Sequence, residues 1–140
     1  MPDWTYHPLR RPVAAMLGVR RSQRVALRAT AAVGSLPGGG WLIARMLGHQ
    51  RPPAHLAGEV AGVPVHTRLG AAVPPSVVRD AVRALPLIGA GLIWVTPVSP
   101  ADVPTIRAAA GNRRVPLIAA TDDPCVAEAL AGDVDAVTSP

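Results

Sequence analysis

The chain lacks lysine and phenylalanine altogether, and its 140 residues include one cysteine, one tyrosine and three tryptophans. Without lysine, no lysine Schiff base and no lysine amine acting as general base is available. The single Cys125 excludes an internal disulfide framework and fits a reducing compartment. Acid is scarce at one end: Asp3 is the only carboxylate in residues 1–51, which hold eight of the 14 arginines. Residues 52–140 carry the other six arginines against eight acids. The N-terminus offers no uninterrupted apolar stretch, so no cleavable signal is expected. A membrane-spanning helix is not expected either. Residues 84–101 are uncharged over 18 positions, but Pro86, Gly89, Gly91, Pro97 and Pro100 would break a lipid-exposed helix.

What is present is a chain of one-domain length, 49% hydrophobic and built mostly from Ala, Val and Leu. Its charge asymmetry points the basic N-terminal part toward an anionic partner. In that part Leu9, Val13, Met16 and Leu17 share one face of a helix. Val25, Ala29, Ala32, Val33 and Leu36 repeat the spacing behind Ser22, a candidate N-cap. The run Leu36-Pro37-Gly38-Gly39-Gly40 must end this second helix, and residues 41–47 read as a short third one. Apolar helical faces flanked by arginine, with Trp4, Tyr6 and Trp41 nearby, suit a surface that rests on a bilayer. The expected contact residues are Trp4, Tyr6, Leu9, Arg10, Arg11, Val13, Met16, Leu17, Arg20, Arg21, Arg24, Arg28, Trp41, Ile43, Arg45, Met46 and Leu47.

Residues 50–55, with Pro52 and Pro53, read as a linker, which divides the chain into a helical region 1–50 and an α/β region 51–140. Beyond the linker the pattern alternates. An extended segment starts at Val63-Pro64-Val65 and runs toward Leu69-Gly70, and a helix over 76–85 turns Val77, Val78, Ala81, Val82 and Leu85 inward. A buried strand follows at 91–95, then a helix over 101–111 with Val103, Ile106 and Ala110 inward. A strand over 115–120, a helix over 123–131 capped by Asp122 or Asp123 with Pro124 in its first turn, and a strand over 133–138 complete the order. Strands alternating with helices mean parallel βαβ units. A closed (β/α)8 barrel needs about 250 residues, so the fold expected is half a TIM-type barrel of about four units preceded by amphipathic helices.

Familiar catalytic patterns are missing from the sequence. His7, His49, His55 and His66 are scattered, without carboxylate or cysteine at metal-ligand spacing. No G-x-S-x-G elbow surrounds any serine. Gly89-Ala90-Gly91 reads as a tight helix-to-strand turn, and Asp122-Asp123 as a helix cap rather than a paired-carboxylate site. A receiver domain is excluded because neither its acidic cluster nor its late lysine is present. Nucleic-acid binding would rest on phosphate charge alone, since no helix-turn-helix or base-stacking pattern accompanies the arginines.

The order of parts resembles the N-terminal half of the class 2 (quinone-dependent, membrane-associated) dihydroorotate dehydrogenases. That family begins with a Y-x-P-L-x-R-P helix, a second helix, an L-P-G-G-type break and a short third helix. Here the counterparts are Tyr6-His7-Pro8-Leu9-Arg10-Arg11-Pro12, residues 25–36 and Leu36-Pro37-Gly38-Gly39. The family's first barrel segment is similar to Gly62-Val63-Pro64 through Leu69-Gly70-Ala71-Ala72. Its next, G-F-G-F-V-E-V-G-T-V-T-P, is similar to Gly89-Ala90-Gly91-Leu92-Ile93-Trp94-Val95-Thr96-Pro97-Val98-Ser99-Pro100. Val115-Pro116-Leu117-Ile118 and Val134-Asp135-Ala136-Val137-Thr138 resemble the two strands after that.

The departures bear on chemistry. Where the family carries an aspartate–lysine pair beside its flavin, Ala71-Ala72 run into Val73-Pro74-Pro75. Thr96 and Pro97 stand where the family places a small glycine and a threonine hydroxyl. The family's substrate loop is reduced to an ordinary helix, and its catalytic serine and phosphate-binding loops belong to the half this sequence does not include. The resemblance therefore implies a non-catalytic accessory protein, with no catalytic, cofactor or metal residue of its own. It would sit on the cytoplasmic membrane face, bind anionic lipid, and join a protein partner or a copy of itself in a larger, respiratory quinone-using complex. The alternatives are a reduced FMN-dependent dehydrogenase that completes its site by oligomerising, and a soluble arginine-rich nucleic-acid binder.

Overall fold

A computed structural model of the chain describes residues 18–47 and 52–139. Helix α1 (Val19–Ser35) and helix α2 (Gly39–Leu47) form a hairpin. Strands β1 (Gly58–Val60) and β2 (Val63–Val65) form an antiparallel pair. Then β3 (Gly70–Val73), α3 (Val78–Ala84), β4 (Leu92–Val95), α4 (Val103–Ala110), β5 (Leu117–Ala120), α5 (Pro124–Leu130) and β6 (Ala136–Thr138) alternate. The last four strands make one parallel sheet in the order β3-β4-β5-β6. The molecule is thus mixed α/β with a four-stranded parallel sheet, which is open among the described residues.

Sequential parallel order with right-handed crossovers puts the helices on one face of the sheet. That face supplies Val73, Ile93, Val95, Leu117 and Ala119 to the main core. The helices answer with Val78, Ala81, Val82, Ile106, Ala109, Ala110, Val126 and Leu130, all at most 3% exposed. The alternating partition follows from the strand period of two. The inward residues expected for the first and second crossover helices, Val77 to Leu85 and Val103, Ile106 and Ala110, pack against this core. Asp123 caps α5, its Oδ1 accepting from the Cys125 backbone N–H at 2.9 Å, with Pro124 in the first turn.

Three expectations need correction. Ser22 is not an N-cap: α1 starts three residues earlier at Val19, behind Gly18, whose φ is 73°. Gly39 and Gly40 do not lie in the break but open α2, because the elbow brings the backbones together. A Cβ on Gly39 would collide with the Val33 carbonyl oxygen. Val63-Pro64-Val65 does not run on into the sheet; it is the second arm of a hairpin whose first arm, Gly58–Val60, sequence reading missed. The second face of the sheet is partly covered. Val60 and Val65 of the hairpin pack on Leu92 and Ile118, closing its lower end.

The two helices of the α1–α2 hairpin are packed on the α/β part. Ala31 is buried, and Leu27 rests against the main core. Gly34 approaches Leu87 so closely that a Cβ would overlap its Cδ1. Arg28 Nε meets Asp80 Oδ2 at 3.3 Å and ties α1 to α3.

Candidate docking face

Helix α1 carries apolar residues on both sides, and the α3 contact consumes only one. Leu27, Ala31 and Gly34 (positions i, i+4 and i+7) turn inward. The other stripe faces solvent, with Val25 55%, Val33 37% and Leu36 61% exposed and Ala29 and Ala32 exposed between them. Helix α2 repeats the division. Gly39 and Ile43 are buried, while Trp41, Leu42 and Met46 are 67%, 47% and 69% exposed. Scattered apolar side chains on a surface are ordinary. Six large ones on two consecutive short helices and their elbow are a surface that water solvates poorly.

The charges that the hairpin itself supplies are of one sign, and one of them, Arg28, is paired with Asp80 of α3. Arg21, Arg24, Arg28 and Arg45 are exposed, and residues 18–47 contain no acid. Arg45 places its guanidinium carbon 5.7 Å from the Trp41 ring centroid, a cation–π distance. An indole and a guanidinium together on the outer side of a helix form a pair with an apolar body and a cationic tip.

Of the expected contact residues, Arg21, Arg24, Arg28, Trp41, Arg45 and Met46 are exposed on this hairpin. Ile43 is a correction: it is 8% exposed, because α2 turns it under itself toward Gly34 and Leu87. Arg20 and Leu47 lie within α1 and α2, with side chains outside the described set. Trp4, Tyr6, Leu9, Arg10, Arg11, Val13, Met16 and Leu17 lie outside the described residues. Val25, Val33, Leu36 and Leu42 were missing from the expected set, although the stripe holding the first three is visible as a 3.6-residue repeat.

Parallel α/β sheets bind ligands at the carboxyl ends of their strands. There, Thr121, Asp122, Asp123, Pro124 and Ser139 help line an open crevice of about 320 Å³. The FMN implied by the family resemblance does not fit it. A flavin phosphate needs free backbone N–H groups and positive charge. Prolines 74, 75, 97 and 124 remove donors next to the strand ends, and Asp122 and Asp123 would repel the anion. Several of the remaining groups are engaged. Thr121 Oγ1 donates to the Val98 carbonyl at 3.0 Å and accepts from the Asp123 N–H at 3.2 Å. The Thr96, Val98 and Thr121 N–H groups bond to Val73, Ala120 and Thr138 carbonyls.

Among the described residues, no group of three or more His, Cys, Asp or Glu could hold a metal ion. No helix among them is long and apolar enough to cross a membrane. Compared with protein-family models, curated proteins and solved structures, the chain finds no match.

Proposed function

We propose that this chain is a non-catalytic, dihydroorotate-dehydrogenase-like accessory protein that rests on the cytoplasmic face of a membrane. In this reading it is a subunit or stabiliser of a larger, quinone-using membrane complex. The α1–α2 hairpin is its lipid contact, and the α/β part is what remains of a barrel half. One observation carries the reading: five exposed large apolar residues on two helices, with Leu36 at the elbow between them, lie beside exposed Arg21, Arg24 and Arg45 on a hairpin that contains no acid. Arginines near an anionic leaflet contribute about 1 kcal/mol each. The apolar side chains add the part of the affinity that salt does not screen. Attachment of this kind is reversible. The acidic, proline-flanked strand ends support the absence of flavin chemistry.

The test is co-sedimentation with vesicles of phosphatidylcholine, with and without phosphatidylglycerol. Retention that needs the anionic lipid, weakens in part with salt, and drops when Trp41 and Met46 become serine supports the proposal. Equal recovery in the supernatant with both vesicles overturns it. So does salt-sensitive retention on DNA without any on lipid.

A further inference from the structure

In a parallel sheet every strand points the same way, so the connecting segments divide between two ends. Residues 66–69, 85–91, 111–116 and 131–135 lead into β3, β4, β5 and β6 at the amino end. Residues 74–77, 96–102 and 121–123 leave β3, β4 and β5 at the carboxyl end. The two ends differ in charge. The carboxyl-end segments hold Asp102, Asp122 and Asp123 and no arginine. The amino-end segments hold Arg68, Arg113 and Arg114, all exposed. Their two acids, Asp133 and Asp135, are paired with Arg107 and Arg113 at 2.7 and 2.8 Å. Glu59 is also near this end, and the Arg68 guanidinium lies against Gly58 beside it.

Exposed apolar side chains follow the same division. Leu69 is 68% and Ile88 43% exposed at the amino end, whereas the valines of the carboxyl-end segments, Val77 and Val98, are buried. The α1–α2 elbow lies at the amino end too. Arg28 meets Asp80 in the first turn of α3, and Gly34 meets Leu87 just past its last turn, so α1 runs alongside α3 toward that end. Leu87 also lies next to Gly40 of α2, and Ile88 is the following residue. Leu69 is tied to the same turn by its carbonyl, which accepts from the Gly91 N–H at 2.8 Å. The elbow residues Leu36, Trp41 and Leu42 thus share one end of the molecule with Ile88 and Leu69.

We infer that the protein meets an anionic leaflet leaning on its elbow, with the amino end of the sheet beside it. Leu69 and Ile88 join the hairpin in the contact, and Arg68 and Arg114 face the headgroups. The crevice lined by Asp122 and Asp123 turns away from lipid. Charge selects this orientation, because the reverse one would bring the three carboxyl-end carboxylates against a negative surface. The inference rests on the lipid-docking reading and adds to it a second contact region and an orientation.

The test places a fluorophore at either end of the full chain. The exposed native Cys125, in the first turn of α5, takes the label at the carboxyl end. Leu69→Cys and Ile88→Cys, each with Cys125→Ser, take it at the amino end, where both positions are already exposed. Quenching by nitroxide-bearing lipid is read on vesicles of phosphatidylcholine and phosphatidylglycerol, and co-sedimentation scores attachment separately. The expected result for attached protein is loss of fluorescence at residues 69 and 88 and none at 125. Quenching at 125, or none at 69 and 88, in attached protein overturns the orientation and leaves lipid docking standing. Should a label at 69 or 88 block attachment that the wild type shows, the Cys125 label decides alone. A wild type that does not attach counts against the docking reading itself, and the inference falls with it.

Discussion

Ala61 sits at φ 50°, the one non-glycine residue with positive φ among those described, beside Gly62 at 78°. The pair forms the two-residue turn of the β1–β2 hairpin, where both positions require left-handed backbone. An L-residue with a Cβ is disfavoured there by about 1–2 kcal/mol. Ala61→Gly is therefore expected to stabilise the protein by about 0.5–1 kcal/mol after the added chain entropy of glycine is subtracted, read as a rise in thermal midpoint. The same residue explains why the hairpin was not legible. The usual signal for such a turn is Asn-Gly or Asp-Gly, and Ala-Gly carries none of it. A second residue-scale dependence lies at Asp135. Its Oδ2 accepts from the Leu117 N–H at 2.8 Å and meets Arg113 Nε at the same distance, holding β5 to the turn before β6. Asp135→Ala is expected to cost about 1–2 kcal/mol, at the lower end for a charged acceptor because the pair is part-exposed. Denaturant unfolding reads this.

At the scale of elements, α1 shows what periodicity can and cannot decide. The stripe Val25, Ala29, Ala32, Val33 and Leu36 is real, but it is the outward one. Leu27, Ala31 and Gly34 form a second apolar stripe, and a helix apolar on both sides gives no hint of which side its own protein covers. The small residues decided it, since Gly34 lets α1 approach Leu87 where a larger residue would be held off. Leu27→Ala is thus expected to destabilise by about 1–2 kcal/mol, below the range for a fully buried leucine. Val25→Ala should change stability by less than about 0.5 kcal/mol and weaken vesicle retention. Measuring unfolding and lipid binding on both variants separates the two faces. The crossover units were far more readable. Buried runs such as Leu92–Val95, and a helix start marked by Asp123-Pro124, announce themselves locally. In contrast, nothing local says that Val60 and Val65 close the sheet's lower end.

For the whole molecule, basic charge and exposed apolar side chains are concentrated at the N-terminal hairpin, although Leu56, Leu69 and Ile88 are also exposed. The sheet and its three crossover helices hold the main apolar core, and Arg107 and Arg113 pair there with Asp133 and Asp135 at 2.7 and 2.8 Å. The α1–α2 hairpin has arginines without acids of its own and exposes Trp41 and Met46. The charge imbalance was plain in the sequence, because counting needs no structure. That Ile43 is withdrawn from this face while Leu42 joins it depends on how α2 is rotated against Leu87, which composition does not encode. If the hairpin is the lipid contact, salt should weaken vesicle retention without abolishing it, since a Debye length of about 8 Å at physiological ionic strength screens the arginines but not apolar insertion. The most direct measurement is Trp41 fluorescence in a Trp94→Tyr, Trp4→Tyr background as anionic vesicles are added. A blue shift that saturates with lipid, and is absent with phosphatidylcholine alone, is the predicted result. An emission maximum that stays at its aqueous position with anionic vesicles in excess would contradict the account.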